Sequence, residues 1–199
     1  MENDEKSRWN KRYKEGTETL RQPEPLLVNA YDQFLAHRKP GLALDVAGGT
    51  GRHALWLMRR GWRVKLIDVS DIAVAQAQHS ARAYPQAAMM GSLKALTTEV
   101  VDLTTARDLG IERYDLVVVF YYLQRELFPS LIAALKAGGV LVYQTFLVEQ
   151  ADRPGGPRNP AYLLQPGELP QAFRALRILH YRENTDGNAT AELVAQKST

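Results

Sequence analysis

Residues 43–51 read ALDVAGGTG, and they contain the clearest signal of the fold in this sequence. The apolar run 42–46 predicts a buried β-strand, and apolar residues at helical spacing predict a helix over 52–60. Glycine adopts backbone conformations that other residues avoid, so the glycines between them allow a sharp turn. A strand, a glycine-rich turn and a helix in this order are typical of α/β proteins that bind nucleotides.

Strands and helices continue to alternate after this turn. Ser70 is a suitable N-cap for the second of these helices. The strands are almost continuously apolar, which is typical of parallel strands covered by helices on both faces. The predicted strands are 63–69, 98–101, 114–121 and 140–146, and the predicted helices are 71–83 and 126–136.

The chain ends in a different pattern. Residues 177–183 and 189–196 alternate polar and apolar side chains, and Asp186-Gly187 between them is typical of a β-hairpin turn. The predicted fold class is α/β, a Rossmann-like seven-stranded, mostly parallel sheet with a C-terminal antiparallel hairpin. We predict a single domain over 1–199, with an N-terminal helical cap at 1–38 and a core at 42–196.

Composition excludes several classes of function. The chain has 199 residues, a net charge of +3 and no cysteine, which excludes disulfides, thiolate metal ligands and a cysteine nucleophile. The four histidines show no ligand spacing, so no metal is expected. The basic residues are dispersed, which speaks against nucleic acid as a partner. The N-terminus lacks an apolar signal segment and no apolar run could span a membrane, so a cytoplasmic protein is expected.

Two kinds of ligand fit the glycine-rich turn. Residues 49–54 match the dinucleotide pattern G-x-G-x-x-A, and Asp68 follows at the distance of a ribose-binding acid, so NAD or FAD is one candidate. Asp45, just before the glycines, disfavours a pyrophosphate. It favours the sulfonium and amino groups of S-adenosylmethionine (SAM). A second interpretation of Asp45 is that it only hydrogen-bonds the turn.

Two further acids end the next two strands. Asp68 is predicted to accept hydrogen bonds from the ribose hydroxyls of SAM, with Val69 beside the adenine. Asp102 is predicted to accept from the adenine amino group, and Leu103 to offer its backbone N–H to a ring nitrogen. The carboxyl ends of parallel strands meet at one edge of a sheet, so we expect these residues to converge.

The chain resembles class I SAM-dependent methyltransferases, particularly the tellurite-resistance-type and thiopurine-methyltransferase-like branch. The resemblance rests on short motifs over most of the chain: WNKRY at 9–13, ALDVAGGTGR at 43–52, LIDVS at 66–70, YDLVV at 114–118 and LKAGGVL at 135–141. It implies a seven-stranded sheet with a terminal hairpin. The SAM pocket that it implies is lined by Asp45, Ala47, Gly49, Gly51, Asp68, Val69, Asp102 and Leu103. Ala47 departs from the family pattern, in which many members carry glycine.

Aromatic side chains are the predicted neighbours of the positively charged sulfur. Trp9 and Tyr13 share one face of a predicted helix over 5–14, where they either border SAM or simply dock the helix. Arg12 is predicted to pair with the SAM carboxylate, and Phe120 completes the predicted cofactor contacts. In similar enzymes the segment after the fourth strand faces the methyl group. Tyr122 and Arg125 are therefore the predicted catalytic residues.

The predicted function is methyl transfer from SAM to a small molecule, with S-adenosylhomocysteine (SAH) as product. A thiol or a chalcogen oxyanion is the acceptor class suggested by the family. An RNA or protein methyltransferase and an NAD(P)-dependent oxidoreductase are the alternatives. The oligomeric state is left open.

Overall fold

A computed structural model describes residues 4–16, 22–83 and 95–199. Parts of the predicted cap 1–38 and the residues 84–94, between the predicted helix 71–83 and the predicted strand 98–101, lie outside these residues. The chain divides into two compact units, Met1–Ala106 and Arg107–Thr199.

The described residues of the first unit form three strands and four helices. Its second helix continues as a π-helical turn, Tyr31–Leu35. The elements are α1 Asp4–Lys14, α2 Pro25–Ala30, β1 Leu42–Val46, α3 Arg52–Met58, β2 Arg63–Asp68, α4 Asp71–Arg82 and β3 Leu96–Val100. Ser70 caps α4 as predicted, because its side chain accepts a hydrogen bond from the backbone N–H of Ala73.

The strands of the first unit run parallel in the order β3-β2-β1. Leu42 lies opposite Arg63 across β1 and β2, and Val64 lies opposite Leu96 across β2 and β3. β1 is buried from Ala43 onward, whereas β3 is partly exposed. The carboxyl ends of β1 and β2 therefore meet at one edge.

The second unit combines one parallel strand pair with an antiparallel hairpin. Its strands lie in the order β4-β5-β7-β6, with β4 and β5 parallel and β7 antiparallel to both of its neighbours. The elements are β4 Tyr114–Phe120, a 3-10 turn Arg125–Leu127, α5 Phe128–Ala134, β5 Leu135–Phe146, 3-10 turns Val148–Asp152 and Pro160–Tyr162, α6 Glu168–Ala172, β6 Arg177–Asn184 and β7 Thr190–Gln196.

The predicted helix 126–136 is too long. The helix ends at Ala134, and β5 begins at Leu135, five residues earlier than the predicted strand. Leu135 pairs with Tyr114, after which the register shifts by a bulge. The bulge contains Gly139, where a Cβ atom would lie 2.8 Å from the carbonyl oxygen of Lys136. The glycine pair therefore lies within a bulged strand and not in a helix–strand turn.

The predicted fold class is confirmed: a seven-stranded, mostly parallel sheet with helices around it and a C-terminal antiparallel hairpin. The long segment after β5 contains two 3-10 turns, and Leu147 pairs with Leu164 at its base. Among the described residues, no helix is long and apolar enough to cross a lipid bilayer.

Candidate functional site

The turn after β1 has an unusual backbone conformation. Ala47, Gly49 and Gly51 all have positive φ angles, of 51°, 55° and 85°. Glycine adopts this conformation without strain, but for a residue with a Cβ atom it costs about 1–2 kcal/mol of conformational free energy. The backbone therefore requires glycine at positions 49 and 51, and Ala47 is held in a strained conformation.

Asp45 lies directly beneath this turn. Its side chain is 1% exposed, and its Oδ2 accepts a hydrogen bond of 3.1 Å from the N–H of Ala54 in the first turn of α3. A Cβ atom on Gly48 would lie 2.8 Å from the Asp45 Cγ. The pKa of Asp45 is raised to about 7, mainly by burial and to a lesser degree by the nearby charge of Asp68, against the lowering effects of the Ala54 N–H bond and the charge of Arg52. The carboxyl group thus does hydrogen-bond the turn, and it also brings a titratable negative charge under the glycines.

Asp68 joins the end of β2 to the glycine turn. Its Oδ2 accepts from the Gly49 N–H at 2.8 Å and its Oδ1 accepts from the Ser70 N–H at 2.9 Å. The residue is 5% exposed, and burial raises its pKa. A carboxylate has about four lone-pair positions, so two backbone bonds leave acceptor capacity. Val69, the next residue, is half-buried.

The segment after β3 approaches the end of β2. The Val101 N–H donates to the carbonyl of Asp68 at 2.8 Å, which places Asp102 and Leu103 near that strand end. Leu103 is buried, and Asp102 is half-buried. The Asp102 Oδ1 accepts from both the N–H and the hydroxyl of Thr104, at 2.9 and 2.6 Å. Asp102 therefore stabilises a local turn in addition to any contact with a ligand.

The aromatic residues of α1 lie against the glycine turn. The rings of Trp9 and Tyr13 stack at 5.9 Å, and the Arg12 guanidinium lies 5.3 Å from the Trp9 ring centre. A Cβ atom on Gly49 would lie only 2.6 Å from the Tyr13 Oη. The Tyr13 hydroxyl thus covers Gly49, and the structure brings the predicted aromatic contacts and the predicted glycine turn together.

Asn10 attaches α1 to the start of α4. Its Oδ1 accepts from the Ser70 hydroxyl at 2.6 Å, and its Nδ2 donates to the Asp71 Oδ1 at 2.7 Å. Lys6 adds an ion pair of 3.3 Å with Asp71. Asn10 belongs to the WNKRY motif, but this role was not predictable from the sequence, because its partners Ser70 and Asp71 are 60 and 61 residues away. Helical spacing, which placed Trp9 and Tyr13 on one face, carries no signal for such a contact.

The predicted residues of the second unit occupy the end of β4 and the segment after it. Phe120 is 7% exposed, and Tyr121 has a positive φ of 57°. The Tyr121 N–H donates to the carbonyl of Gln144 at 2.8 Å, and the Tyr143 hydroxyl donates to the carbonyl of Tyr122. The Tyr122 side chain is half-buried.

Arg125 holds a structural contact within the second unit. Its guanidinium donates to both carboxylate oxygens of Glu168, at 2.6 and 2.9 Å, and to the carbonyls of Ala161 and Leu163. It thereby connects the segment after β4 to the loop 160–163 and to α6. This geometry disfavours the predicted catalytic role of Arg125, which stays an untested prediction.

A surface cavity of about 680 Å³ lies in the first unit, lined by Thr50 and by α4 residues between Asp71 and Ser80. The three predicted carboxylates do not line it. The parts of the chain that the structure describes hold no cluster of three or more His, Cys, Asp or Glu that could bind a metal ion.

The fold and the glycine turn define a class I SAM-dependent methyltransferase, as the sequence predicts. The profile of the family described as tellurite resistance protein TehB matches residues 31–191, and the chain belongs to this family. No curated protein sequence matches the chain.

Solved structures show the same fold at low sequence identity. TehB from Haemophilus influenzae superposes with a TM-score of 0.69 at 18% identity, covering 96% of this chain and 67% of that one. Magnesium protoporphyrin IX methyltransferase (ChlM) from Synechocystis PCC 6803, with bound SAH, gives 0.69 at 17% identity, with 97% of each chain covered. The N-methyltransferase NodS from Bradyrhizobium japonicum WM9 gives 0.64 at 14% identity, covering 88% of this chain and 98% of that one.

Proposed function

We propose that this methyltransferase binds SAM at the turn after β1 and methylates a small molecule, a thiol or a chalcogen oxyanion. The observation that carries the proposal is the pair of buried carboxylates, Asp45 and Asp68, beneath a left-handed glycine turn. The family name supports an oxyanion of tellurium or selenium as one acceptor. ChlM and NodS, which share the fold, are named as methyltransferases.

The same geometry disfavours a dinucleotide. A pyrophosphate binds the free N–H groups in the first turn of the helix that follows the glycines. In this chain the Ala54 N–H of α3 already donates to Asp45. A phosphate at this position could not use the Ala54 N–H as a donor and would be repelled by the Asp45 carboxylate. A sulfonium or ammonium group would be attracted by the same carboxylate.

Each predicted cofactor contact then has a role. SAM supplies a methyl group on a positively charged sulfur. Asp68 accepts from the ribose hydroxyls, and Asp102 accepts from the adenine amino group. Arg12 pairs with the carboxylate of SAM. The aromatic faces of Trp9 and Tyr13 stabilise the positive charge of its sulfur by about 0.5–2 kcal/mol each. Ala47, Gly49, Gly51, Val69, Leu103 and Phe120 supply backbone or apolar contacts. Three further parts of this proposal rest on the sequence argument alone. They are the absence of a metal, a cytoplasmic location and a catalytic role for Tyr122.

Isothermal titration with SAM, SAH and NAD tests this proposal. We expect SAM and SAH to bind and NAD not to bind. Asp68→Asn should weaken the binding of SAH by about 1–3 kcal/mol, because the ribose loses a charged acceptor. The exposed Asp32→Asn is the matched control and should bind SAH as the wild type does. Binding of NAD without binding of SAM or SAH contradicts the proposal.

A further inference from the structure

Gln144 is a buried polar residue with an unused acceptor. It lies near the carboxyl end of β5 and is 6% exposed. Its Nε2 donates to the Tyr121 hydroxyl at 3.2 Å. Its Oε1 is buried and has no hydrogen-bond partner among the residues that the structure describes. A buried polar atom without a partner costs about 1–3 kcal/mol, so such an atom requires an explanation.

A second buried glutamine of the same unit shows what a structural role looks like. The Gln150 Oε1 accepts from the Ala189 N–H at 2.8 Å, and its Nε2 donates to the carbonyl of Gly155 at 2.7 Å. Both ends of this amide are bonded to the backbone, so Gln150 holds the segment after β5 in place. Gln144 uses only its donor end.

The partner of Gln144 is itself strained. Tyr121 has a φ of 57°, which is unfavourable for a bulky side chain. The contacts that hold it there include the bond from its N–H to the Gln144 carbonyl at 2.8 Å and the packing of its ring 5.0 Å from the ring of Phe146. Strained residues of this kind concentrate at binding and catalytic sites. The strain and the unused acceptor occur at directly contacting residues, at the ends of two parallel strands.

We propose that the Gln144 Oε1 is a binding site for the methyl acceptor and accepts a hydrogen bond from an O–H or N–H group of that molecule. Tyr121 is a positioning residue, since its hydroxyl holds the Gln144 amide in orientation. This inference rests on the proposed function and narrows its substrate class. The acceptor carries a hydrogen-bond donor near its nucleophilic atom, such as a hydroxyl-bearing thiol or a singly protonated chalcogen oxyanion.

The proposal predicts discrimination between molecules of the same size. A site built around a hydrogen-bonding group rejects an analogue that lacks the complementary group, because the buried atom then stays without a partner. 2-Mercaptoethanol and 1-propanethiol are a suitable pair, since they differ by a hydroxyl in place of a methyl group. Hydrogen selenite, supplied as sodium selenite at neutral pH, is the oxyanion probe.

The experiment measures the affinity of these three probes for the wild-type protein saturated with SAH, by titration calorimetry or ligand-observed NMR. We expect 2-mercaptoethanol or hydrogen selenite to bind at least tenfold more tightly than 1-propanethiol. Gln144→Met keeps the shape of the side chain and removes the acceptor, so it should abolish this preference. Tyr121→Phe should weaken the preference without abolishing it.

Thermal melting separates a binding role from a structural one. Gln144→Met removes an unsatisfied buried oxygen together with the hydrogen bond from Nε2 to the Tyr121 hydroxyl, and these opposing effects should leave its Tm close to that of the wild type. Gln150→Met leaves the Ala189 N–H without an acceptor, so its Tm should fall by several degrees. SAH affinity should be unchanged in Gln144→Met.

Equal or absent binding of all three probes to the wild type overturns this inference, and so does a lowered Tm of Gln144→Met with its probe preference retained. Failure of SAH itself to bind would instead overturn the proposed function.

Discussion

Ala47 has the backbone conformation that glycine prefers. Its φ of 51° strains the alanine, and the neighbouring Gly49 has nearly the same φ without that cost. Ala47→Gly should therefore raise the free energy of unfolding by about 0.5–1 kcal/mol. This value is the relief of strain minus the greater flexibility of glycine in the unfolded chain.

Urea unfolding measures this difference. Ala43→Gly is the control, because Ala43 is a buried residue of β1. Glycine destabilises such a position, so the two variants should shift in opposite directions. Equal losses in both would mean that Ala47 is not strained.

The raised pKa of Asp45 predicts that the free energy of unfolding of the protein depends on pH. Its folded pKa is about 7, above the ordinary value of 3.8 that it recovers on unfolding. Between these values the folded state holds the extra proton, so its contribution to stability falls as the pH rises from about 4 to 7. Asp45→Asn keeps an acceptor for the Ala54 N–H and removes this cost. Its gain in unfolding free energy over the wild type should be about 2 kcal/mol larger at pH 8 than at pH 5.

The same substitution should weaken SAM more than SAH, because only SAM carries the positive sulfur. Urea titrations at the two pH values and calorimetry with both nucleosides check this pair of effects. A stability gain that does not change with pH would contradict the raised pKa.

At the scale of elements, α1 is attached to α4 through few polar contacts. Asn10 provides two of them, to Ser70 and Asp71. If α1 covers bound SAM, Asn10→Ala should weaken SAH binding about fivefold, the equivalent of about 1 kcal/mol, and change the Tm of the ligand-free protein little. Lys11→Ala, at an exposed position of the same helix, should change neither quantity.

Calorimetry and thermal melting distinguish whether α1 is a cover for bound SAM or a fixed structural element. A large fall in the Tm of ligand-free Asn10→Ala, with SAH affinity retained, would show that α1 is a fixed structural element and not a cover for the site.

The elements were predictable wherever a local pattern determines them. β1 matches its predicted bounds 42–46, and the Ser70 cap of α4 and the C-terminal hairpin are also confirmed. The start of β5 at Leu135 was not predictable, because a glycine pair after a helix is typical of a turn. Pairing with Tyr114 overrides that local preference, and a bulge accommodates the glycines.

The candidate site was predictable only in part, for the same reason. Asp45 and Asp68 follow from their places at strand ends. The bonding of Arg125 to Glu168 and the unused Gln144 acceptor depend on residues that the fold brings together from distant positions. Periodicity and motifs contain no information about such partners.

In the molecule as a whole, the net charge of +3 is dispersed. The family match covers residues 31–191.

A ligand that binds only the folded state raises the free energy of unfolding by about 2.7 kcal/mol when its concentration is a hundred times its Kd. For a chain of this size, SAH at that concentration should raise the Tm by about 5–10 °C. NAD at the same concentration should leave it unchanged. Differential scanning fluorimetry measures both shifts, and a shift with NAD alone would contradict the assignment of the glycine turn to SAM.

The contact between Gly49 and the Tyr13 hydroxyl has a consequence for genetics. The smallest side chain at position 49 would lie 2.6 Å from the Tyr13 hydroxyl. Replacing this glycine therefore displaces the Tyr13 side chain of the N-terminal helix as well as distorting the turn. Inactivating mutations at Gly49 and truncations of the N-terminus should consequently produce the same defect, and a compensating change for Gly49→Ala should be found at Tyr13.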